Sequence, residues 1–173
     1  MKKLVTLAAG LALAAGISTT AQAQTVACSA NGAGSQNCSV NTAVKVTVPT
    51  IIKLDVTDSL TTAAAPTSAD FDSTFQNVAT TVAINMKSNT TSTLSIKAGS
   101  ANWSGPYNKA AGDLSWTSDG GTTYTPMTTS AATVGTGTAG NNAFTVGYQI
   151  AWSYANDVPG TYTLPVVFTA TAP

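Results

Sequence analysis

The chain is 173 residues long, 43% hydrophobic and only 8% charged, with seven lysines balancing seven aspartates and no arginine, histidine or glutamate. Without histidine no Ser-His-Asp or Cys-His relay can be assembled, and without glutamate the acid/base choices narrow to aspartate, so an enzyme is not expected. The lysines are scattered singly and offer no basic patch to a phosphate backbone, which argues against nucleic acid as a partner.

Residues 1–23 read as an export signal: Lys2 and Lys3 form a positive n-region, Leu4 to Ile17 an apolar core, and Ala21-Gln22-Ala23 a small-residue cleavage site. The expected destination is the periplasm, the outer surface or the extracellular space. No later run is apolar enough to span a bilayer. The expected mature chain, 24–173, has the length of a single domain and a net charge of −2, from five lysines against seven aspartates.

Cys28 and Cys38 lie in a Gly-rich N-terminal loop, 24–39. Export favours a disulfide between them, which in the loop-entropy model would stabilise by roughly 2–3 kcal/mol. Two thiols without histidine fall short of a zinc set, and neither a metal nor another cofactor is expected.

Val40, Val44, Val46 and Val48, then Ile52, Leu54 and Val56, share one parity across a long extended run. Pro49 on the other parity implies an edge or a bulge. From Asp58 to Asn77 the pattern lapses, with one helical turn expected to carry Phe71 and Phe75 onto the core. Val82, Ile84 and Met86, a turn over 87–92, and then Leu94, Ile96 and Ala98 read as a hairpin.

Trp103 and Tyr107 stand in an aromatic loop. Leu114 and Trp116 lead through Ser118-Asp119-Gly120-Gly121, a hairpin turn, to Tyr124 and Met127. Residues 128–142 read as a loop or a weak strand. Phe144, Val146, Tyr148, Ile150, Trp152 and Tyr154 alternate with small or polar residues, and after a turn at 155–160 the pattern resumes with Tyr162, Leu164, Val166 and Phe168, which reads as a C-terminal hairpin. About eight strands separated by turn signals predict an all-β fold, an antiparallel immunoglobulin-like sandwich.

Two groups of residues invite a functional reading. Trp103, Tyr107 and Tyr124 offer flat apolar faces that could stack on sugar rings, although such rings also close the ends of a core. Asp157 and Tyr162, around Pro159-Gly160, resemble a tyrosine corner, in which the phenol hydrogen-bonds back to the chain.

The signal peptide, the early cysteine pair, the Thr/Ala/Gly/Asn-rich body and the ending Pro159-Gly160-Thr-Tyr162-Thr-Leu-Pro-Val-Val-Phe168 resemble the secreted immunoglobulin-like subunits of bacterial fimbriae and related surface proteins. The ending is also similar to that of WxL cell-wall-binding domains, with Phe168-Thr169-Ala170 where Trp-x-Leu would stand. The resemblance implies a non-enzymatic structural or adhesive role, with copies of itself, other surface subunits, a glycan or the cell wall as partners. It also implies exchange of a strand between subunits, for which Val40 to Val48 is the candidate segment.

Overall fold

The computed structural model describes residues 28–40, 42–57, 61 and 63–173. The expected signal peptide and the first residues of the cysteine loop lie outside them. The chain divides into two units at Val46/Thr47. The described part of the first unit carries no helix or strand, and Cys28 and Cys38 are bonded in it, with Cα atoms 5.8 Å apart.

The second unit is all-β. Its strands are β1 (Ile52–Val56), β2 (Phe75–Asn77), β3 (Val82–Ser88), β4 (Ser92–Ala98), β5 (Leu114–Thr117), β6 (Thr125–Pro126), β7 (Ala132–Gly137), β8 (Gly140–Ala151) and β9 (Val166–Thr171), with one short helix, α1 (Ser68–Asp72). They form two antiparallel sheets. One runs β1-β3-β8-β5-β6, with β2 also paired to β8; the other runs β7-β4-β9.

β8 is the spine of the larger sheet because its twelve residues are long enough to serve several partners. Its first half pairs with β3 (Val82↔Val146), and its second half with β5 (Trp116↔Tyr148) and β2 (Gln76↔Ile150). Strict alternation puts Val82, Ile84 and Met86 of β3 on the same buried side as Val146, Tyr148 and Ile150 of β8. Leu94, Ile96 and Ala98 of β4 join them, so both sheets feed one apolar core. Burial pushes the Tyr148 hydroxyl up to about 12, so the phenol stays neutral throughout the physiological range.

The expected C-terminal hairpin does not exist. β8 and β9 belong to different sheets, and residues 152–165 cross between them. The same holds for the expected hairpin of β3 and β4, whose connection passes from the larger sheet to the smaller. A period of two and a polar turn fix which face of each strand is buried, but they do not say whether the turn folds back in the sheet or arches over the core. The β5–β6 hairpin does form, with Ser115 opposite Pro126. Its turn uses Gly120 and Gly121 at φ of 77° and 92°, where a side chain would be strained.

Residues 128–142, expected as a loop or weak strand, contain β7 and the start of β8. A bulge in β7, where Leu94 faces Gly135 and Ser95 faces Thr133, leaves Val134 as the extra residue and turns it into the core. Of the expected helical pair, only Phe71 lies on α1. Thr74 takes a positive φ of 65°, which ends the helix and leaves Phe75 exposed on β2.

The long run from Val40 becomes a strand only at Ile52. Pro49 has no N–H to donate, and the Asn89 side chain stands in for a partner strand there, accepting from Ile51 N–H at 2.9 Å and donating to the Pro49 carbonyl at 2.8 Å.

Because both sheets share one core, Ile84→Ala is expected to lower stability by about 2–5 kcal/mol. Chemical denaturation followed by tryptophan fluorescence and far-UV circular dichroism should report this as one coincident transition for both probes.

Candidate functional site

The most unusual polar group among the described residues is Lys109, whose side chain is only 3% exposed. The turn before it is tight. Lys109 N–H donates to the Tyr107 carbonyl at 2.9 Å, Trp103 N–H donates to the Lys109 carbonyl at 2.8 Å, and the Trp103 indole N–H donates to the Ala110 carbonyl at 3.0 Å. These bonds close residues 103–110 into a loop that leaves Lys109 facing inward.

A buried ammonium must have its protons accepted and its charge balanced. Lys109 Nζ donates to the Ala151 carbonyl at 2.5 Å and to Asp157 Oδ1 at 2.9 Å; Asp113 Oδ2 lies 3.9 Å away, and the Trp152 ring centroid 4.7 Å away. Asp157 is as buried as its partner. Its Oδ2 accepts from Ser153 N–H at 2.8 Å, and its own N–H donates to the Ser153 carbonyl at 2.9 Å, so the turn after β8 presents the carboxylate to the lysine. Asp113, in the 3-10 turn Ala111–Asp113 before β5, keeps one side towards water.

Aromatic rings surround the pair. Trp152 lies 5.7 Å from Phe71 and 6.5 Å from Tyr162 between centroids, and Phe71 stacks on Tyr154 at 4.8 Å. Two shallow cavities flank Trp152. One, of about 190 Å³, has Lys109 and Asp157 in its wall and Tyr107, Asn108, Asp113 and Asn156 around it. The other, of about 250 Å³, is lined by Pro66, Phe71, Val158, Pro159 and Tyr162 as well as Trp152.

Of the aromatics singled out from sequence, only Tyr107 lines the first cavity. Trp103 packs against the core, and Tyr124 lies over the β5–β6 turn, its hydroxyl 3.3 Å from where a Gly121 Cβ would sit. Trp152 also packs against the core and forms part of the wall of both cavities.

Tyr162 Oη donates to the Val158 carbonyl at 2.8 Å, while Asp157 turns to Lys109 rather than to the tyrosine. Gly105 makes room for the Tyr162 ring, because a Cβ there would come within 2.6 Å of it. Val40, Val44, Val46 and Val48 are exposed and lie in no strand, Val44 at 97%.

Asp70 and Asp119 serve local turns. Asp70 Oδ2 accepts from Thr67 N–H and Oγ1, both at 2.7 Å, which caps α1 and holds its carboxyl below the usual carboxylate range. Asp72 accepts from Tyr154 Oη at 3.2 Å. Asp119 is held down to about 2, first by the Thr117 hydroxyl and then by Thr123 N–H. Among the described residues, no three His, Cys, Asp or Glu side chains converge on a point where a metal could bind.

No protein-family model matches the chain, and neither a curated protein nor a solved structure is significantly similar to it.

Removing one member of the buried pair strands the other. Lys109→Met or Asp157→Ala should each cost about 3–5 kcal/mol in a denaturant titration, and the double variant Lys109→Met/Asp157→Leu should recover most of the loss. Asp119 titrates lower in the folded chain than its ordinary 3.8, so its contribution is full above that value and disappears as pH falls through about 2. The stability gap between wild type and Asp119→Asn should therefore close between pH 4 and pH 2 when unfolding is followed against pH.

Proposed function

We propose that the chain is an exported, non-enzymatic structural subunit or adhesin-like component of a bacterial surface, an immunoglobulin-like sandwich that acts through packing and edge-strand contacts. The observation that carries this reading is an apolar run on an unpaired edge. Among the described residues β1 pairs with β3 alone, and Val48, Ile51, Ile52 and Val56 are exposed before and along it. Its charges do little to guard that edge, since Lys53 is paired with Asp55 at 2.7 Å. An open ladder flanked by exposed β-branched side chains is a template for a further strand. The partners proposed are other copies of the chain or other surface subunits.

A second reading rests on the cavity beside Lys109. Tyr107 is partly exposed there next to the side chains of Asn108 and Asn156, a ring and two amides of the kind that hold a neutral sugar, so the alternative is a glycan- or wall-binding module.

Light scattering and negative-stain microscopy of the mature protein separate the two readings. Concentration-dependent assemblies that disappear on deletion of residues 24–48 or in Ile52→Lys are the expected result. A monomer at every concentration, with saturable glycan binding lost in Tyr107→Ala, would replace the first reading with the second.

A further inference from the structure

The cavity of about 250 Å³ beside Trp152 has three aromatic rings in its wall, those of Phe71, Trp152 and Tyr162, together with the rings of Pro66 and Pro159. We propose that it is a binding site for a quaternary ammonium group, the trimethylammonium head of choline and its derivatives. This goes beyond the functional reading above and does not depend on it.

The rings are set at angles that make a box rather than a slab. Phe71 tilts 36° from Trp152 with centroids 5.7 Å apart, and Tyr162 stands nearly at right angles to Trp152, at 73° and 6.5 Å. A flat ligand such as a pyranose can lie against only one of them, whereas a compact, round cation can touch all three. Trp152 already attracts one cation, Lys109 Nζ, 4.7 Å from its ring centroid.

Charge points the same way. Asp157 carries the only charge among the described residues lining this cavity, whereas its partner Lys109 lines the other one. The negative end of the buried ion pair is therefore the end that this cavity meets. A second carboxylate stands behind Phe71: Tyr154 stacks on Phe71 at 4.8 Å, and its Oη donates to Asp72 Oδ1 at 3.2 Å.

Hydrogen bonding separates a quaternary ammonium from other cations. A primary ammonium brings three N–H donors, and each needs an acceptor once it leaves water. The Asp157 carboxylate and the Val158 carbonyl, which would have to serve it here, are already engaged. Asp157 receives Lys109 Nζ on one oxygen and Ser153 N–H on the other, and the Val158 carbonyl receives Tyr162 Oη at 2.8 Å. A trimethylammonium group has no donor to satisfy and buries its methyls against the aromatic and proline rings.

Titration of the folded mature protein with choline chloride, followed by tryptophan fluorescence and by calorimetry, tests the proposal. Saturable binding with half-saturation below about 10 mM is expected. The uncharged isostere, with a tert-butyl group in place of trimethylammonium, should bind about tenfold more weakly because the cation–π attraction is lost. Ethanolamine should not saturate. Phe71→Leu keeps an apolar side chain but removes one ring, and should weaken choline binding about fivefold with the far-UV circular dichroism unchanged. Phosphatidylcholine vesicles, set against phosphatidylglycerol vesicles, distinguish the sources of the group: selective capture of the protein by the first assigns it to a lipid head, and choline binding without capture assigns it to a free solute. No saturation by choline, or equal affinity of the wild-type protein for choline and its uncharged isostere, overturns the site whether or not the variant folds.

Discussion

An ammonium shut away from water must be matched by acceptors, and the parts of the chain that supply them lose their freedom to move apart. Lys109 sits in the connection between β4 and β5, while Ala151, Trp152, Ser153 and Asp157 belong to the end of β8 and the connection to β9. Both connections pass between the two sheets. The buried pair therefore fixes the two crossovers to each other, and a second tie runs alongside it: Ser104 and Thr163 exchange backbone hydrogen bonds at 2.9 Å in both directions. Trp103, Tyr162 and Gly105 pack around these ties, which is why the loop of aromatics that looked available from sequence is largely spent on packing.

The sheets themselves follow from a simpler requirement. Alternation along β3, β4 and β8 gives each an apolar face, and the faces can be dried only against one another. This much was legible in the sequence: Val82, Ile84, Met86, Leu94, Ile96, Val146, Tyr148 and Ile150 are inward at the positions their parity predicts. Pairing was legible only for the β5–β6 hairpin. The turn at 89–91 between β3 and β4 and the turn at 138–139 between β7 and β8 are as short as hairpin loops, yet each leads from one sheet to the other. Local periodicity carries no information about that choice, which depends on which faces are already covered.

The buried pair was hidden for a related reason. Lys109 stands in Tyr-Asn-Lys-Ala-Ala-Gly-Asp113, a polar loop in which a lysine is ordinarily solvated, and its partner is 48 residues away. The residues that bring the two together are small or backbone groups: the Tyr107 carbonyl, the Ala151 carbonyl and the Ser153 N–H. None of these has a signature of its own. The one usable hint was scarcity. In a chain with so few charges, Asp113, four residues on from Lys109, and Asp157, beside Pro159-Gly160, were two of only seven side-chain carboxylates.

The arrangement also bears on what such a chain can do. Among the described strands β9 pairs with β4 alone, and the segment between β8 and β9 carries both the Lys109–Asp157 pair and the Ser104–Thr163 ladder. Force entering at β9 would reach the larger sheet through these two ties as well as through the core. Apolar packing yields gradually under shear, because each contact is weak and replaceable. A buried ion pair behaves differently, since its partners cannot separate without leaving a charge uncompensated in a dry site. This chain concentrates its buried ion pair at a point where the two sheets are joined.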